Sequence, residues 1–143
     1  MPIFLKRRLF NPVLVVIAAA CVAGCGLHDP CGDGRGHPAT VATLYFGRNI
    51  PGGGEVSERD WRQFLARVVT PAFPNGLTVS DGVGQWSDPV THQIVAEKSK
   101  IVTIVIFADP ASTAKLARIR DGYRTMFHQD SAGLTLAPAC AAF

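Results

Sequence analysis

The stretch IVTIVIFADP, residues 101–110, decides the fold. Ile101 to Phe107 are apolar or β-branched without a break and read as a strand. Asp109-Pro110 reads as a helix cap followed by proline at the first helical position. Leu116, Ile119, Tyr123, Met126 and Phe127 then recur at helical spacing, so a strand passes directly into a helix. Within the strand, Ile101, Thr103, Val105 and Phe107 point one way, and Val102, Ile104 and Ile106 the other. Neither set is polar enough for a face turned to water, so both faces of the sheet are expected to be covered.

Upstream the same alternation of strand and helix appears. Thr40 to Phe46 is a strand, and Gly47 to Val56 is a glycine-rich loop. Ser57 is a helix N-cap with Glu58 and Asp60 in the first turn. Trp61, Phe64, Leu65 and Val68 form the apolar stripe, and Thr70-Pro71 is expected to end that helix. Phe73-Pro74-Asn75-Gly76 is a turn. Leu77 to Trp86 reads as a second strand, bent or bulged at Gly82 and Gly84. A loop over Ser87 to Gln93 leads into the long strand Ile94 to Phe107. Leu134 to Ala137 closes the series as a short last strand. The order β-α-β-β-α-β predicts an α+β, ferredoxin-like domain, an antiparallel sheet with two helices on one face. Helices cover only one face there, so a second copy is expected over the other, giving a homodimer. The alternative cover is the Ser87–Gln93 loop.

Segments along this region resemble a family of short exported bacterial proteins known only as a domain of unknown function. They are Phe46-Gly47-Arg48, Pro51-Gly52-Gly53-Gly54-Glu55-Val56, Trp61, Phe73-Pro74-Asn75-Gly76-Leu77-Thr78, Gly84-Gln85-Trp86 and Glu97-Lys98-Ser99-Lys100. The resemblance spans roughly residues 40–140 and implies an extracytoplasmic domain. It carries no activity and no catalytic residue.

The 143 residues suffice for one domain. The formal net charge of +3 equals the contribution of Lys6, Arg7 and Arg8, so the rest of the chain is balanced. That balance argues against nucleic-acid binding, which needs clustered uncompensated bases. The three bases, the apolar run Val13–Ala20 and Val22-Ala23-Gly24-Cys25 make residues 1–25 an export signal of the lipoprotein kind. Cys25 is then the lipidated residue, the protein is anchored in the cell envelope through palmitate-type acyl chains, and the domain faces the periplasm or the exterior. Plain secretion and an uncleaved membrane helix are the competing readings. Asn11, Pro12, Gly24 and Gly26 interrupt the apolar run and count against the helix.

Residues 26–38 read as a flexible tether and 39–143 as the domain. The tether holds His28, Cys31 and His37 in a spacing that fits no closed zinc site, so no metal is expected. No cofactor is implied either. Cys31 and Cys140 flank the folded segment. Oxidising surroundings favour their pairing, and a ferredoxin-like sheet brings both to one end; two free thiols are the alternative.

Two groups of residues are candidates for binding. Arg48, Gly52, Gly53, Gly54 and Ser57 could form an anion site from backbone amides and a guanidinium. The alternative is an ion pair between Arg48 and Glu55. Gln85, Trp86 and Lys100 could line a pocket, with Lys100 and Glu97 instead forming a solvated cross-strand pair. His92 and His128 are the histidines open to acid–base roles, but no nucleophile–base signature accompanies them. The sequence thus points to a binding domain for a small, anionic ligand or an envelope partner. The alternative is a small enzyme with its active site at a dimeric sheet face.

Overall fold

The computed structural model describes residues 31, 32 and 34–143. The expected leader with Cys25, and residues 26–30 and 33 of the expected tether, lie outside these residues. Four strands and two helices follow one another as β1 (His37–Gly47), α1 (Glu58–Phe64), β2 (Thr78–Ser87), β3 (Ile94–Ile106), α2 (Ser112–Phe127) and β4 (Gly133–Ala141). The sheet order is β2-β3-β1-β4 with every neighbouring pair antiparallel. This is the ferredoxin-like arrangement the sequence predicts.

Residues paired across the ladder share a face. Ala42, Leu44 and Phe46 of β1 and Val102 and Ile104 of β3 are buried against the helices, none more than 1% exposed. The helices return Trp61, Phe64 and Val69, and Leu116, Ile119 and Tyr123. At the centre Phe46 meets Tyr123 at 4.7 Å between ring centroids and Trp61 at 5.3 Å. Offset, tilted aromatic pairs of this kind add about 0.5–1.5 kcal/mol beyond their buried area. The Tyr123 hydroxyl donates to the Gly47 carbonyl at 2.8 Å, which satisfies the one polar atom it buries.

Five local readings are corrected. The first helix does not stop at Thr70-Pro71. It continues through a π-helical stretch (Leu65–Val69) into a last turn, Thr70–Ala72. The Thr70 N–H bonds back to the Leu65 carbonyl, so the register is reset and Pro71 falls in the opening turn of the new segment. The second strand is not bulged. Its ladder with β3 runs in constant register from Thr78↔Thr103 to Ser87↔Ile94. The second helix starts later than Asp109, with Ala111 as N-cap, and Asp109 instead accepts from the Ala111 N–H in the preceding turn. Met126, expected on the buried stripe, is 52% exposed. The last strand is longer than Leu134–Ala137, because pairing with β1 extends it to Ala141.

β1 starts at His37, inside the expected tether, and Cys31 is bonded to Cys140 across 109 positions of sequence. The part of the tether from Cys31 onward is therefore held against the sheet. No helix among the described residues is long and apolar enough to cross a membrane.

Candidate functional site

The loop after β1 folds back on itself. Gly52, Gly53 and Gly54 have φ of 88°, 119° and 98°, a left-handed run that glycine alone adopts readily. The Ile50 N–H donates to the Gly54 carbonyl at 3.1 Å and the Val56 N–H to the Arg48 carbonyl at 2.8 Å. This closes a small hairpin rather than an open cradle. Arg48 is buried, and its donors are consumed within the chain. Nε and Nη2 reach the Val56 carbonyl at 2.8 and 2.6 Å, and Nη1 reaches Glu58 at 2.5 Å. Nη2 also pairs with Glu55 at 3.0 Å. Ser57 is the expected N-cap, accepting from the Asp60 N–H at 3.1 Å. The anion site is therefore corrected. Glu55 and Glu58 stand where an anion would approach, and most of the guanidinium's donors are already taken by them and by the Val56 carbonyl.

Lys100 joins this cluster from β3. It is 5% exposed and binds Asp81 and, at 3.0 Å, Glu58. The bond to Asp81 raises the Lys100 ammonium above its ordinary value, and the bond from Lys100 holds the Glu58 carboxyl below its own. Two buried cations thus carry exposed acids on their outer side. With Lys98, which pairs with Glu55 at 3.4 Å, the result is a charge-balanced bracket joining β1, β2, β3 and the start of α1.

The second group of candidates does not converge. Gln85 and Lys100 lie on the helix side of the sheet and Trp86 on the other, as the strand alternation requires. Lys100 and Glu97 likewise sit on opposite faces and form no pair; Glu97 accepts from the Asn49 N–H at 2.9 Å instead. His92 occupies the β2–β3 loop with φ of 57°, and His128 caps the end of α2 with φ of 53°. Among the described residues no cluster of three or more His, Cys, Asp or Glu could hold a metal.

Two features not read from the sequence emerge instead. The first is a threonine row on the sheet face away from the helices, the face the sequence expects to be covered. Thr78, Thr103, Thr43 and Thr135 form one row across all four strands. Tyr45 stands beside that row, 41% exposed, and leans over Gly133, where a Cβ would sit 3.1 Å from the Tyr45 Cβ. From Ala39 to Gly47 on β1 and from Ser99 to Val105 on β3, no residue pointing to this face is charged. The register reveals the row; single-strand patterns cannot.

The second feature is a cavity of about 540 Å³ at one end of the sheet. β3 outruns β2. Thr78↔Thr103 is their last pair, so Ile104 to Ile106 are paired on one side only, with β1. The Phe73–Gly76 turn swings the chain away and leaves a notch. Its walls include Phe73, Leu77, Ile106, Phe107 and Phe143. Lys115 and Asp109, also in the wall, are bonded to each other at 2.8 Å.

A family model matches residues 41–143, from within β1 to the last residue. The chain belongs to the family DUF3574, described as a protein of unknown function. No curated protein matches the chain. Solved structures do. A phage SAM lyase in complex with S-methyl-5'-thioadenosine shares 16% identity at a TM-score of 0.57, covering 74% of this chain and 92% of that one. Phage SAM lyase in its apo state shares 16% identity at a TM-score of 0.56, covering 73% and 86%. At this identity the likeness shows that the DUF3574 domain and the lyase share a fold. It does not carry a site across, since one fold hosts many chemistries.

Proposed function

We propose that this chain is the extracytoplasmic domain of a lipoprotein, held on a membrane through Cys25, and that it binds a small ligand in the notch beside β3. The cavity is the observation that carries the binding reading. Its volume of about 540 Å³ lies in the range of small-molecule sites, and walls that mix aromatic and aliphatic side chains with Asn75, Thr78, Thr103 and the Asp109–Lys115 pair suit such a site. The bonded Cys31 and Cys140 support the location, because disulfides persist in oxidising compartments. The test is native mass spectrometry of the unreduced chain recovered from the envelope. A bound small molecule, lost on Phe107→Asp, is the expected result. A bare chain that returns to the soluble fraction would sink both parts.

The uncharged stretch around the threonine row favours a second reading. In it the protein is a small enzyme whose active site lies under a second copy docked on that row. Two copies meeting over Ser99–Val105 and Ala39–Gly47 would bring no like charges together. A dimer whose turnover disappears on Tyr45→Ala would favour this reading over the first.

A further inference from the structure

We propose that the notch cavity is an acyl-chain site, filled by a fatty chain from the membrane side of the molecule. The inference rests on the lipoprotein reading for the source of the chain, while the cavity itself is independent of it. Three observations converge on one end of the sheet. The start of β1 and the end of β4 lie there, because His37 pairs with Ala141. So do the disulfide of Cys31 with Cys140 and the last residues of β3, since Thr40 pairs with Ile106. The cavity opens beside those last residues of β3.

Cys25 is six positions before Cys31. Six residues reach at most about 20 Å. Cys140 is on β4, two or three strands from the notch, or roughly 10–14 Å at the usual strand spacing. The lipid-bearing residue is thus tethered within reach of the cavity, and the same end of the domain must face the bilayer.

Apart from Asn75, Thr78 and Thr103, the uncharged wall is aromatic and aliphatic, and no unpaired charge is present among its described residues to hold a headgroup. Its only charged members, Lys115 and Asp109, neutralise each other, and the Lys115 ammonium lies 5.5 Å above the Phe73 ring. At the lip, Phe107 is 40% and Phe143 99% exposed, packed edge to face at 6.2 Å. Two aromatic side chains held out at the bilayer end are placed to meet lipid, as aromatic residues do at membrane interfaces. An extended apolar peptide pairing with the open edge of β3 is the rival occupant.

The test uses the full-length protein purified from membranes and palmitic acid carrying a photoreactive group in its tail. Labelling is expected on peptides containing residues 73–78 and 103–107, with unlabelled palmitate competing. It should fall about tenfold in Phe143→Asp and in Phe107→Asp with the melting temperature kept. The Phe143 variant removes only an exposed side chain and so does not depend on refolding. In Cys25→Ala, labelling that rises several-fold assigns the site to the protein's own lipid, and unchanged labelling assigns it to a membrane lipid. Cavity peptides labelled no more than the exposed side of α2 would overturn the proposal. So would labelling that an apolar peptide displaces and palmitate does not. The mass of the peptide bearing Cys25 reports the anchor separately: an unmodified cysteine there defeats the lipoprotein reading and leaves the cavity result standing.

Discussion

The two faces of this sheet are built from the same strands and behave differently. On β1, Ala42, Leu44 and Phe46 are sealed, while their neighbours Val41, Thr43 and Tyr45 are half-buried or exposed. On β3, Val102 and Ile104 are sealed and Ile101, Thr103 and Val105 are half-buried. Apolar character alone does not separate the sets, since Val41 and Val105 are as apolar as Val102. Position relative to the helical layer separates them. One face is a finished core, and the other is a surface whose centre is uncharged and organised around four threonines. Mutational cost should therefore follow the face and not the hydrophobicity of the residue removed.

The sharpest test is Phe46→Ala. The ring touches Trp61, Phe64 and Tyr123, and its loss should cost about 3–5 kcal/mol in denaturant unfolding. A cost no larger than that of Tyr45→Ala next door would break the comparison. The disulfide comes next, because it pins the strand start and strand end that both faces share. Cys31→Ser with Cys140→Ser should cost about 2–4 kcal/mol, read the same way without reductant. Arg48→Ala removes the bonds to Val56 and Glu58 that close the polar end of the helix face. A loss of about 1.5–3 kcal/mol is expected, as for hydrogen bonds involving a charged group.

Smaller effects follow from titration. The Glu58 and Asp109 carboxyls are held below their ordinary values of 4.5 and 3.8 by bonds from Lys100 and Lys115. Groups lowered on folding contribute stability that is complete above their unfolded values and lost as pH falls through the folded ones. Melting temperature should therefore be flat at neutral pH and fall below about pH 4.5, with a shallower fall in Glu58→Gln. The smallest change is expected for Thr103→Val on the open face, within about 0.5 kcal/mol of the parent for a surface position. A clear gain or loss there, dependent on protein concentration, would show that a partner copy covers the row.

Much of this was legible beforehand. The β-α-β-β-α-β order, the Trp61–Phe64 stripe and the Ser57 cap follow from local periodicity and hydrogen-bonding chemistry, which act within a few residues. The same is true of the Arg48–Glu55 pair, visible as opposite charges flanking a tight glycine loop. The errors share a cause in longer range. Lys100 with Glu97 looked plausible along one strand, but a pair needs a common face, and Asp81 on the neighbouring strand supplied it. Leu134–Ala137 looked short because Pro138 and small residues follow, yet the β1 ladder carries β4 to Ala141.

The sequence by itself determined the elements, their order and the polarity of each strand, because those are read from neighbours along the chain. Only the tertiary structure decided the register. The register in turn aligned four threonines from four strands and left the end of β3 without a partner. It also placed the cavity at the end of the sheet that holds the disulfide and the start of β1. Such features depend on pairings between residues tens of positions apart, and no local pattern encodes them.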